Sequence, residues 1–150
     1  MRNVAKHNVD SVRKRLAAYG PELRKEFGGE GSSSDEHPKI VVVQQDLSDL
    51  ASIAASIDVL AAHDISTIDI LINNAGLAES APLSKTSDEL WDRAIDVNLR
   101  APFELARALA PKMGKRGWGR IVNVASTAGL KGYRYTSAYC ASKAGLLSVS

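Results

Sequence analysis

A single cysteine, Cys140, stands among 150 residues, so an internal disulfide framework is excluded and a reducing compartment fits. No apolar run approaches the ~18 residues of a membrane span, and no signal peptide opens the chain, so the expected location is cytoplasmic. Aromatic residues make up only 5% of the chain. No interleaved aromatic platform of the kind that binds nucleic acid accompanies the basic residues of the first 27 positions, such as Arg13, Lys14, Arg15, Arg24 and Lys25. That segment reads as a solvated helix face, and a net charge of +2 is too small to imply nucleic-acid or membrane partners. His7, His37 and His63 are scattered, so neither metal-ligand spacing nor a hydrolytic triad emerges. Glycines do cluster in "GGEG" at 28–31, but no strand precedes them and a polar stretch follows, a poor phosphate cradle.

What remains is an ordinary globular composition, 45% hydrophobic and 24% charged, in a chain long enough for one domain with a buried core. Helical and strand patterns alternate. Residues 11–27 read as a helix that Gly28 would end, 28–38 as a flexible linker, and "KIVVVQQD" at 39–46 as a buried strand. Ser48 is placed to cap a helix whose apolar positions Leu50, Ile53, Ala54, Ile57, Leu60 and Ala61 keep the helical period. "IDILI" at 68–72 reads as a second short buried strand that ends at "NNAG". A long helix is predicted from about Ser87 to Met113 with a kink at Pro102, then a strand at 119–126 and a helix that begins near Ser137. Strands separated by helices imply right-handed crossovers and a parallel sheet with helices on both faces. Such sheets bind ligands at the carboxyl ends of their strands, which directs attention to Asp46, residues 73–76 and Ser126.

Tyr139 and Lys143 in "SAYCASKAG" would lie one helical turn apart on one face. An ammonium a few ångströms from a phenol favours the phenolate and brings a weak acid–base toward neutral pH. With four tyrosines in the chain, a lysine four residues on arises by accident in roughly one such sequence in four, so the spacing needs support. Ser126 could donate to a substrate carbonyl, or simply cap a strand end. Asn98 lies at the edge of the apolar stripe of Leu90, Ala94, Val97, Ala101 and Leu105; a buried amide there either bonds to nearby backbone or organises a polar site. Ala75 and Gly76 are small enough for close approach, and Gly76 permits a tight turn; Asn73 and Asn74 can bond unpaired backbone. Asp46 could accept from a ligand amine or help cap the following helix. Cys140 reads as a packed thiol, and Asp92 with Asp96, beside Arg93 and Arg100, as a solvated face.

Together "QQDLSD" (44–49), "LINNAG" (71–76), "DVNL" (96–99), "RIVNVAS" (120–126) and "SAYCASK" (137–143) resemble the short-chain dehydrogenase/reductase family in order and spacing. The resemblance implies a reversible hydride transfer between NAD or NADP and a secondary alcohol or ketone. It implies Tyr139 as general acid–base, Ser126 as the group that positions the carbonyl or alcohol, and Lys143 as the residue that lowers the Tyr139 pKa and binds the nicotinamide ribose. Asn98 would hold a water that extends the proton relay. Asp46 would contact the adenine, with Asn73, Ala75 and Gly76 lining the cofactor path; no metal is implied. In family dimers the long helix near 90–110 and the helix carrying Tyr139 often form the interface, so a homo-oligomer is expected.

The family opens with a strand, a glycine-rich turn and a helix that cradle the pyrophosphate, and no such segment is present; the chain also stops within the helix carrying Tyr139. The expected fold is therefore α/β, an incomplete Rossmann-like doubly wound parallel sheet spanning 1–150. An internal fragment or truncated product is expected, with weak dinucleotide binding and little turnover. The reading from a different class is a non-catalytic module that binds a partner through an exposed sheet edge.

Overall fold

The computed structural model describes residues 43, 45–63 and 65–149. The helix expected at 11–27, the linker at 28–38 and most of the strand expected at 39–46 lie outside the described residues. The rest, from Val43 on, forms one unit.

Helix α1 spans Leu50–Ala62. Its cap is Asp49, whose Oδ1 accepts the Ala51 amide at 3.0 Å. Ser48, the residue expected to cap it, instead donates its amide and hydroxyl to Asp46 Oδ1, at 2.9 and 2.7 Å. A carboxylate two residues upstream captures the serine, and the carboxylate adjoining the helix takes over the capping role. Ile53 is the buried residue of this helix, which packs against helix α3.

Strands β1 (Ile70–Asn73) and β2 (Arg120–Asn123) pair in parallel, in a register from Ile70 opposite Arg120 to Asn73 opposite Asn123. A parallel pair needs a crossover, here supplied by one long helical run. Among the described residues the sheet has these two strands and no more. The alternation of side chains puts Ile70, Ile72 and Val122 on one face. Ile70 and Ile72 are 53% and 62% exposed, so the strand expected to be buried presents a bare apolar face. The described helices cover the opposite face alone, where Asn73 is buried, rather than both faces.

The crossover begins with helix α2 (Asp88–Ile95), capped by the Ser87 hydroxyl, which accepts the Leu90 amide; Asp88 and Glu89 complement the dipole of its first turn. A π-helical turn follows at Asp96–Arg100, then helix α3 at Ala101–Lys115. The irregularity predicted at Pro102 therefore falls in the turn before it. The Ala101 amide reaches back five residues to the Asp96 carbonyl. Pro102 has no N–H to offer the carbonyl of Asn98, and its ring would crowd that carbonyl in a regular helix. The extra residue in this turn relieves the conflict, and such turns recur at functional sites.

Helix α4 (Ser137–Leu147) closes against this run. Two glycines permit the approach. A Cβ on Gly145 would lie 2.8 Å from Leu99 Cδ2, and one on Gly129 would lie 2.7 Å from the Lys143 carbonyl oxygen. Backbone cannot yield cheaply, so Gly129→Ala is expected to destabilise by about 1–3 kcal/mol. Gly114, in helix α3, has no neighbouring atom within 4 Å of an added Cβ. Gly114→Ala should therefore stabilise by roughly 0.5–1 kcal/mol through helix propensity. Denaturant midpoints of the two variants, moving in opposite directions, check both.

Candidate active site

The site is assembled from α4, the π turn and the segments that follow β1 and β2. Lys143 is 4% exposed, and its Nζ donates to the Val124 carbonyl at 2.8 Å. Among the described residues no carboxylate forms an ion pair with it; the four ion pairs involve Arg93, Arg100, Arg107 and Arg116. Lysines are almost never buried without an acidic partner. Tyr139 lies one turn earlier on α4 and is half-buried.

Asn98 is fully buried in the π turn. Its Oδ1 accepts the Leu77 amide at 2.9 Å, and its Nδ2 donates to the Leu77 carbonyl at 2.9 Å and to Ser142 Oγ at 3.0 Å. The bond to nearby backbone that sequence left open is not the one formed: the amide bonds to backbone 21 residues away, and to a serine 44 residues away. The segment after β1 lies against it. A Cβ on Gly76 would lie 3.1 Å from Asn98 Oδ1 and 3.5 Å from Lys143 Nζ. Gly76 does not have a positive φ; its small size serves this approach rather than a tight turn. Ala75 and Gly76 are themselves exposed.

Ser126 follows β2 and caps the short turn Thr127–Gly129, its Oγ accepting the Ala128 amide at 3.1 Å. The capping role leaves the hydroxyl hydrogen free to donate, since a hydroxyl both accepts and donates. Tyr135 takes the left-handed conformation (φ 66°), and its carbonyl accepts the Ala81 amide at 2.7 Å. This bond ties the loop after β1 to the loop that leads into α4.

Two expected residues stand apart from this group. Asn73 is buried at the end of β1, but its Nδ2 donates to Asn123 Oδ1 at 2.8 Å, and Asn123 in turn donates to the Val149 carbonyl at 2.7 Å. Its side chain links strand to strand. Asp46 spends one carboxylate oxygen on Ser48 in its own exposed turn. The Ser48 hydroxyl, and then the Ser48 amide, hold its carboxyl below the ordinary carboxylate range. The stabilisation this gives is present above the unfolded value of ~3.9 and is lost as pH falls through the lowered folded value. An NMR titration should place the Asp46 midpoint below that of a free aspartate, and Ser48→Ala should move it back up.

Sequence reasoning missed Ser142, which is fully buried, and Asn123. Cys140 is half-buried, with its sulfur near the Tyr133 amide and the Thr136 hydroxyl, as a packed thiol should be. Arg100 pairs with Asp96 on the surface, whereas Arg93 pairs with Glu79 rather than with either aspartate expected beside it. Among the described residues no helix is long and apolar enough to cross a membrane, and no group of three His, Cys, Asp or Glu could hold a metal ion.

The family profile described as short chain dehydrogenase matches residues 10–150. Nodulation protein G of Azospirillum brasilense is 38% identical over 73% of this chain and 44% of its own length. D-threitol dehydrogenase of Mycolicibacterium smegmatis is 41% identical over 70% of this chain and 40% of its own length. The solved structure of a 4-hydroxyisoleucine dehydrogenase complexed with NADH superimposes with a TM-score of 0.67 at 42% identity, over 71% of this chain and 47% of that one. The chain thus spans less than half the length of these relatives.

Proposed function

The chain belongs to the short-chain dehydrogenase family, and from that premise we propose that the whole protein interconverts a secondary alcohol and a ketone with NAD or NADP. The observation that carries the reading is Lys143, a buried ammonium with a carbonyl for a partner and, among the described residues, no acid. Such a group is costly to bury, and structure alone gains little from it. It stands one turn from a half-buried phenol and beside the exposed, side-chain-poor segment at Ala75 and Gly76.

These residues fit a dinucleotide. An ammonium has three hydrogens; Val124 takes one, which leaves donors for ribose hydroxyls next to a segment bare enough to admit them. A bound nicotinamide would supply the hydride donor or acceptor. The chain's own residues would handle the proton. Ser126 would donate its free hydroxyl hydrogen to the substrate oxygen, and Tyr139 would give a proton to that oxygen in reduction and remove it in oxidation. Both Nδ2 hydrogens of Asn98 are committed, to Leu77 and Ser142, and its Oδ1 already accepts the Leu77 amide. A water in the relay would therefore rest on its backbone carbonyl, which Pro102 cannot bond. Asp46 keeps one carboxylate oxygen for an adenine amine, and Asn73 would act on the cofactor path through the strand end rather than by contact. Trp91 and Phe103, both exposed on the crossover helices, support a homo-oligomer formed through those helices.

The test is a separate titration of the whole protein with NAD and NADP in the presence of a panel of secondary alcohols. Saturable reduction of one dinucleotide is the expected result. Binding of neither, with retained folding, would favour the non-catalytic module.

A further inference from the structure

We infer that Ser142 is a positioning residue: its hydroxyl locks the first turn of α4 to Asn98 and so sets where Tyr139 and Lys143 stand, an inference that rests on the proposed reaction. Ser142 has no exposed surface. Its hydroxyl donates to the Tyr139 carbonyl at 2.8 Å and accepts from Asn98 Nδ2 at 3.0 Å. Asn98 in turn holds both the N–H and the C=O of Leu77. The bonds Leu77–Asn98–Ser142–Tyr139 thus join the segment after β1, the π turn and α4, which are 21 and 44 residues apart in sequence.

Both amide hydrogens of Asn98, its oxygen and the serine hydrogen are all used. In a centre closed to water, removing one member leaves its neighbour unpaired, and the geometry must shift to compensate. Neither the phenol of Tyr139 nor the ammonium of Lys143 belongs to the chain of bonds. Ser142 therefore acts through backbone: it fixes the Tyr139 carbonyl, and it is the residue next to Lys143. A helical serine that bonds back to a carbonyl three residues earlier often does no more than satisfy itself. Here the same oxygen also accepts from a different element, which self-satisfaction does not require.

The experiment replaces Ser142 in the whole protein. Ser142→Ala is expected to lower kcat about 10- to 50-fold, with KM and dinucleotide affinity within about twofold, because a small misplacement of reacting groups costs rate more than binding. Combined with Asn98→Ala, it should add less than about twofold to the loss from Asn98→Ala alone, since the two act as one unit. Ser142→Cys, close in volume and a weak donor, should recover part of the rate, and it carries the test should the alanine variant fail to fold. Amide exchange gives a readout that needs no turnover. The Leu77 amide is held by Asn98 and should exchange at least about tenfold faster in the variant, while the Val124 amide, held by Asn73, stays unchanged. Absence of turnover in the unsubstituted protein would sink the proposed reaction but leave this exchange result decisive for the link. Unchanged exchange at Leu77, or a folded variant with kcat within about twofold of the parent, overturns the inference.

Discussion

Tyr139→Phe should lower kcat about 10³-fold while leaving the fold intact, the usual range for loss of a general acid–base being 10²–10⁴. The two effects separate because of how the residue is held. It is the backbone carbonyl of Tyr139, not its hydroxyl, that takes the Ser142 bond, and the ring is only half-buried. Phenylalanine keeps the ring and the carbonyl, so unfolding free energy should change by less than about 0.5 kcal/mol. Steady-state kinetics beside urea denaturation check the pair of values. Equal activity in the variant would reduce Tyr139 to a packing residue.

Lys143→Met is the second large effect, and here stability and activity should move apart. The ammonium is buried against the Val124 carbonyl, and among the described residues no acid offsets its desolvation. Methionine fills a similar volume without the charge, and so removes the cost of desolvating it. The Val124 carbonyl that loses its donor belongs to a residue 40% exposed, so water can take the vacated bond. The melting temperature should hold or rise. Turnover should fall at least about 100-fold, because the proposed site loses the ammonium that stands one turn from the phenol and beside the segment at Ala75 and Gly76. Dinucleotide affinity should fall as well, through the loss of the donors that no described residue takes. A marked drop in melting temperature would mean that Lys143 is held for stability, and the site reading would lose its main support.

Local chemistry made much of this legible. The start of the long helix near Ser87 and of α4 at Ser137 are short-range events, so residue type and spacing announce them. The same holds for Tyr139 and Lys143, whose relation is one turn of a helix. Contacts across long separations stayed hidden. Ser142 reads as an ordinary polar position on a helix until Asn98 meets it from 44 residues away, and Asn123 as an ordinary strand polar until Asn73 meets it from 50 residues away. The π turn was legible only as a proline conflict, and the conflict was resolved one turn before the proline. Ile70 and Ile72 were expected to be buried because apolar runs usually are; what covers a sheet face depends on elements that the run itself does not encode.

The most direct measurement is isotope transfer. A secondary alcohol carrying deuterium on its carbinol carbon is incubated with the whole protein and oxidised dinucleotide, and the reduced nicotinamide is analysed by mass spectrometry. The predicted result is one deuterium on the nicotinamide ring for each ketone formed, with the yield abolished by Tyr139→Phe. Ketone formed without ring deuterium, or transfer that survives Tyr139→Phe undiminished, would contradict an acid–base site built on Asn98, Ser126, Tyr139 and Lys143.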